Sequence, residues 1–219
     1  MKYFALFLAL FLVFSPSARG QGVDFGVQGD VINFTIGGYT NTLSVSTGGD
    51  FTGDLKDIYG LGFGGGAHLD LNLALLSVRV SADYVTLSPD RDKYVSLLKK
   101  YVGNAAAAVT IDGGRIDIFS AGANLKLKVL PLPVVSVYAT GGVGLVRVSV
   151  SEAKVNFNNL PLTKFPAVEP QTKPAANLGA GVDVSLGGVT LFGELKIEFI
   201  FTDPKTSTAI PFGTVGLTF

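Results

Sequence analysis

Asp70 and Arg79 flank a stretch that reads as a tight turn near Ala74, at the separation where opposite charges meet across a β-hairpin. They belong to a larger set. By the two-residue period of a strand, Asp30, Asp70, Asp83, Asp183, Glu194 and Glu198 share a side with Arg79, Lys126, Lys128, Arg147 and Lys196. Six negative groups against five positive ones in a narrow enclosure predict an ion-pair plug. A selective channel would use rings of one sign, and a narrow gated pore is the alternative. Removing one member of such a pair costs about 3–5 kcal/mol, because its partner stays buried and charged.

Other chemistry finds little support in the chain. His68 is the single histidine; it falls on the same polar side, about five residues before the short turn, and reads as a hydrogen-bonded interior residue rather than a base. Asp112-Gly113-Gly114 is a turn signal, since no Lys-Ser/Thr follows to make a phosphate loop. There is no cysteine and no metal-ligand spacing. The expectation is no enzyme, no cofactor and no metal.

The elements that position these charges are strands. Two-residue alternation recurs eight times, with apolar sides such as Val23-Phe25-Val27, Leu69-Leu71-Leu73, Leu76-Val78-Val80, Leu125-Leu127, Val135-Val137-Ala139, Leu178-Ala180-Val182, Leu195-Ile197-Phe199 and Val215-Leu217-Phe219. The fifth strand changes phase, with Val146, Val148 and Val150 apolar and Arg147 and Ser149 polar, which predicts a β-bulge near Leu145. Connectors alternate between long and short. The long ones cover about 37–57, 88–114, 152–174 and 202–208, and the short ones fall near Ala74, Leu130–Pro133 and Gly187-Gly188. Within 88–114, Ser88 as N-cap, Pro89 at the first position and a Tyr94, Leu97, Leu98, Tyr101, Val102 stripe predict a helix over 89–102.

Composition selects the environment. The 219 residues are 47% hydrophobic and 16% charged, with a mean hydropathy of +0.44. Beyond residue 20 no apolar run is long enough for a spanning helix. Met1-Lys2, the apolar run Tyr3 to Phe14 and Ala18-Arg19-Gly20 predict a signal peptide, 1–20, cleaved after Gly20. Cleavage removes two of the 17 basic residues and none of the 17 acidic ones, leaving a net charge of −2 that argues against nucleic acid as a partner. A soluble eight-stranded barrel would put its apolar side inside. Here one side is nearly free of charge and the other holds Gly, Ser, Asn and ions, which predicts apolar side chains outside and polar ones within. The fold class is therefore all-β, an eight-stranded antiparallel up-and-down transmembrane barrel over 21–219.

A leader, eight alternating strands, alternating connector lengths and a last strand ending Gly216-Leu217-Thr218-Phe219 resemble the small bacterial outer-membrane barrels of the OmpA/OmpX/OmpW-like superfamily. The resemblance implies an outer-membrane location in a Gram-negative-type envelope, with both termini periplasmic and the long connectors extracellular. It also makes Val215, Leu217 and Phe219 the signal read by the barrel assembly machinery. Outer-membrane lipid and lipopolysaccharide are the implied surroundings, and a monomer is expected.

The outer half of the bore divides the functional readings. Gly62, Gly64, Gly142, Gly144 and Gly179, with Ile200, Ile210 and Phe212, either line an OmpW-like pocket for a small hydrophobic molecule or relieve crowding in a small barrel. The first reading makes the protein a binder or conduit of such a molecule. The second makes it a structural, surface-interaction protein that acts through its loops.

Overall fold

A computed structural model describes residues 21–33, 45–46, 50–51, 58–73, 75–93, 95–96, 109–132, 134–157, 163–203 and 206–219. The expected leader lies outside these residues, as does most of the expected helix. In chain order the strands are β1 (Gln21–Asn33), β2 (Val45–Ser46), β3 (Asp50–Phe51), β4 (Leu61–Leu73), β5 (Leu76–Leu87), β6 (Val109–Gly113), β7 (Ile116–Pro131), β8 (Val135–Val150), β9 (Ala153–Phe157), β10 (Thr163–Phe165), β11 (Val168–Leu186), β12 (Val189–Asp203) and β13 (Thr206–Thr218).

Eight of them close into one antiparallel barrel in the order β1, β4, β5, β7, β8, β11, β12, β13 and back to β1. Each barrel strand pairs with the next barrel strand in the chain, so the barrel is up-and-down. The register around it runs Gly22, Asn72, Ser77, Lys126, Thr140, Gly179, Lys196, Phe212 and returns to β1 at Ile32. The circuit closes ten residues from its start, since 32 − 22 = 10. A stagger of this kind requires strongly tilted strands, roughly 35–45° from the axis, and each step to the next strand climbs toward the rim where β1 ends.

Polarity is inside-out. Leu195 is 74% exposed, and Leu69, Leu71, Leu125, Leu127, Val143, Leu178 and Val215 also project outward, while Asp70, Arg79, Lys126 and Lys196 are buried. A continuous apolar exterior on a sheet without edges is the arrangement that hydrocarbon demands, because every backbone group is paired inside the wall. Phe219 closes the seam at the short-turn end, where its N–H donates to the Phe25 carbonyl at 2.7 Å and its carbonyl accepts from Phe25 N at 3.2 Å.

Four local expectations are corrected. β8 itself carries no bulge near Leu145: β7–β8 pairing runs unbroken from Ala121↔Leu145 to Ile116↔Val150, and the shift on its other side lies in β11, between Val168 and Gln171. What changes there is the chemistry of the bore, from polar to apolar, so Val146 faces inward and Arg147 outward. Asp112-Gly113-Gly114 does not turn the chain. Gly113 and Gly114, at φ of 80° and 71°, kink a strand that continues past the rim. There β6 pairs with β9, and β10 completes a three-stranded sheet above the barrel. The helix cap is Asp90 rather than Ser88: its Oδ1 accepts from the N–H groups of Asp92 (3.0 Å) and Lys93 (3.2 Å). Pro89 instead forms an isolated bridge with Tyr59, and residues 91–93, 95 and 96 are helical. Finally, the connector expected at 202–208 is shorter, since Asp203 and Thr206 are paired as the ends of β12 and β13.

Candidate functional site: the filled bore

Inward positions on the short-turn half of the barrel are polar, and they meet because the strands deliver them at matched register. Asp70 and Arg79 are direct cross-strand partners on β4 and β5. Arg79 Nε donates to Asp70 Oδ1 at 2.7 Å and Nη2 donates to Oδ2 at 2.8 Å, a bidentate pair. Arg79 Nη1 also lies 3.7 Å from Glu194 Oε2, which accepts from the Tyr138 hydroxyl at 3.0 Å. Lys126 Nζ donates to Asp183 Oδ1 at 2.8 Å, and Lys196 Nζ lies 3.8 Å from Asp83 Oδ2.

Two aromatic rings, neither evident in the alternation, tie these pairs together. Phe192 lies under the Arg79 guanidinium at 4.6 Å from the ring centre. Tyr138 takes the Lys126 ammonium on its face at 3.9 Å. Both rings occupy inward positions among cations, where a desolvated cation–π contact adds roughly 2 kcal/mol. Parity along each strand gives only their inward direction; what the rings touch depends on β4, β5 and β7.

His68 joins three strands at the closing seam. Its Nδ1 is 2.9 Å from Gln28 Oε1 on β1, and its Nε2 is 3.0 Å from Thr218 Oγ1 on β13. The ring meets Phe192 edge-on at 5.2 Å. Gln28 reaches on to Asp83 with its amide nitrogen, and Thr214 donates to Asp30 Oδ1 at 2.7 Å across the same seam. Gly26 must be glycine here, because a β-carbon would collide with the His68 ring and stand 2.6 Å from the Leu217 carbonyl oxygen.

The expected network thus loses two members. Arg147 is exposed on the outer wall, and Lys128 is half-buried near the short-turn mouth, where its charge acts on Asp24. Glu198 is buried within reach of the Lys196 charge. Carboxylates Asp30, Asp70, Asp83, Asp183, Glu194 and Glu198 are buried against the cations Arg79, Lys126 and Lys196. Among the described residues six anions face three cations, a more acidic interior than the residue parity implied.

Above this layer the bore is dry, and the pocket expected at Gly62, Gly64, Gly142, Gly144, Gly179, Ile200, Ile210 and Phe212 is occupied. Ile32, Val85, Leu87, Ile116, Ile118, Val146, Ala175, Ile200, Ile210 and Phe212 form one buried cluster, with Val148 and Val150 packed against it. The glycines are the other half of that packing: a β-carbon on Gly62 would stand 2.5 Å from Leu87 Cγ, and one on Gly64 2.7 Å from Val85 Cγ2. A β-carbon on Gly144 would stand 2.9 Å from Gly122 Cα, and one on Gly179 2.8 Å from Lys196 Cβ. Ile58 and Tyr59 cover the cluster from the rim. Burial pushes the Tyr59 phenol above its ordinary pKa, and its hydroxyl donates to the Gly114 carbonyl at 2.8 Å.

Among the described residues no group of three His, Asp or Glu side chains is placed to hold a metal ion. Val215 and Leu217 of the expected assembly signal lie on the outer wall, and Phe219 is half-buried at its lower edge.

The sequence matches no protein-family model and no curated protein. Among solved structures the chain is similar to a major outer membrane protein from Thermus thermophilus, at 14% identity over 90% of this chain and 98% of that one, with a TM-score of 0.49. It is similar to Neisserial surface protein A, at 14% identity over 91% and 98% of the two chains and a TM-score of 0.48. A third likeness is to the N-terminal β-barrel domain of Pseudomonas aeruginosa OprF, at 12% identity over 91% and 99% and a TM-score of 0.44. The barrel itself rests on this chain's own closed sheet and apolar exterior: the protein is an eight-stranded antiparallel up-and-down transmembrane β-barrel.

Proposed function

We propose that the protein is a non-conducting barrel of the bacterial outer membrane that serves a structural and surface-interaction role through the segments above its rim. The short-turn end and both termini face the periplasm. One observation carries the reading: the bore is filled from end to end, by ion pairs below and by a dry cluster around Ile210 and Phe212 above. A hydrated ion entering that cluster would lose its water with nothing to replace it, and the packed side chains leave no room for a hydrophobic guest beside Ile200 and Phe212. Interaction then falls to the three-stranded sheet β6–β9–β10 and the connectors around it. The surroundings proposed are outer-membrane lipid and lipopolysaccharide, with the barrel assembly machinery reading Val215, Leu217 and Phe219.

Single-channel recording in planar bilayers tests the reading. The folded protein is expected to add no current above the bare membrane. Steady conductance, or conductance blocked by hydrophobic solutes, overturns it.

A further inference from the structure

Arg147 is the inward cation that the strand pattern predicted and the barrel turned outward. It projects from β8 on the membrane side of the wall, three residues short of the rim end of its strand, and it enters none of the ion pairs formed among the described residues. Its direct neighbours are Phe119 on β7 and Thr172 on β11. The next outward pair toward the rim is polar, Ser149 opposite Asp117, and the next pair away from it is apolar, Leu145 opposite Ala121. Arg147 therefore marks the level where hydrocarbon gives way to head groups.

Below it the outer wall is hollow. Ala67, Ala82 and Ala121 are consecutive cross-strand partners on β4, β5 and β7. With Ala123 they floor a shallow depression of about 520 Å³, walled by Phe25, Leu69 and Val80. Much of the rest of the wall carries Leu, Val, Ile or Phe that stand well out from the sheet, with Ala139 opposite Ala180 as a second small pair.

The tilt of the barrel aligns the two features. Arg147 is one strand on from Ala121 and two residues nearer the rim. The step to the next strand and the step along the strand both climb, while their sideways components oppose each other. With strands about 4.8 Å apart, a rise of about 3.3 Å per residue and a tilt of roughly 40°, the Arg147 backbone lies about 8 Å straight above that of Ala121. Phe119 and Leu145, 46% and 56% exposed, flank the line between them.

We propose that this groove holds one phosphate-bearing lipid of the adjoining leaflet, with an acyl chain seated on Ala82, Ala121 and Ala123 and the phosphate bound by the Arg147 guanidinium. The occupant is argued from complementarity. The floor is mainly apolar, its alanine methyl groups suited to seat a hydrocarbon chain although His68, Ser81 and Gly122 also line it, and the wall above it carries a planar cation with paired donors suited to phosphate oxygens. A guanidinium at that level has lost part of its hydration and gains most from an anionic head group. The proposal concerns the outer wall alone and stands whether or not the bore conducts.

The test presents the protein folded in detergent with an equimolar mixture of dioleoylphosphatidic acid and dioleoylglycerol and reads bound lipid by native mass spectrometry. One phosphatidic acid is expected to be retained, about tenfold in preference to the neutral lipid, and Arg147→Gln is expected to erase that preference. Ala121→Phe fills the groove and is expected to abolish retention of both lipids, while Arg115→Gln, at the rim, retains the wild-type preference. Heat-dependent migration on detergent gels verifies that each variant is folded. Equal retention by wild type and Arg147→Gln overturns the proposal. Displacement of the lipid by inorganic phosphate makes the site one for a soluble anion and overturns it as well. A dimer peak removed by Ala121→Phe would give the groove to a second copy of this chain and count equally against it.

Discussion

Asp70 and Arg79 show how little a residue's type reveals until its neighbours are fixed. The pair is bidentate, almost fully enclosed, and backed by Phe192 and Glu194. Asp70→Asn is therefore expected to cost about 3–5 kcal/mol in urea unfolding from lipid vesicles, because Arg79 keeps its charge and loses its partner. The double variant Asp70→Leu with Arg79→Met is expected to recover only part of that loss, since the apolar pair escapes desolvation but Glu194 loses the Arg79 charge beside it. Glycine behaves as a residue-scale device in the same bore. A β-carbon on Gly66 would strike the Ala82 carbonyl and lie 3.0 Å from Asp83 Cα, whereas one on Gly193 meets nothing within 4 Å. Gly66→Ala is expected to destabilise the barrel by about 1–3 kcal/mol in the same assay, and Gly193→Ala to stay within about 0.5 kcal/mol of wild type. The Asp70–Arg79 pair was legible in the sequence, because spacing across a two-residue turn fixes it. Phe192 was not legible, because its role depends on three strands that are far apart in the chain.

At the scale of elements, the strands follow from alternation, and their disagreements with expectation share one cause. Periodicity reports a contrast between two faces but not which environment each face meets. In β8 the contrast inverts halfway, and a bulge is the local explanation; the structure keeps the register and changes the lining instead. Gly113 and Gly114 carry a turn's composition, yet the neighbouring β9 captures the strand as β6 and carries it past the rim. The same neighbour effect decides the short helix. Pro89 is held by its bridge to Tyr59, so capping passes to Asp90. Asp90→Ala is expected to lose about 1 kcal/mol of local stability. Hydrogen exchange at the Asp92 and Lys93 amides should accelerate about fivefold, with barrel amides unchanged.

For the whole molecule the decisive property is the direction in which the apolar face points. Leu195, on the middle of β12, is expected to tolerate arginine poorly, with a loss of about 2–4 kcal/mol in vesicle unfolding. Arg147, on the same outer wall but next to the polar pair Ser149 and Asp117, is expected to carry no such penalty. A Leu195→Arg variant as stable as wild type would contradict the lipid-facing assignment of that wall. The plug acts at this scale too: Phe212, 3% exposed, closes the bore together with residues from other strands of the barrel. No single strand contains the plug, and so neither its dryness nor the filling of the expected pocket is written in any one segment.

By itself the sequence determined the eight strands that close the barrel and the pairing of Asp70 with Arg79, because each depends on spacing along one chain or across one turn. Only the tertiary structure decided that the space beside the glycines is filled by Leu87, Val85 and their neighbours, that Arg147 leaves the bore, and that alanines of three strands gather beneath it. The filling and the gathering of alanines depend on the stagger of the closed barrel, which sets which side chains meet around the wall; the direction of Arg147 depends on β8 keeping its register where the lining turns apolar.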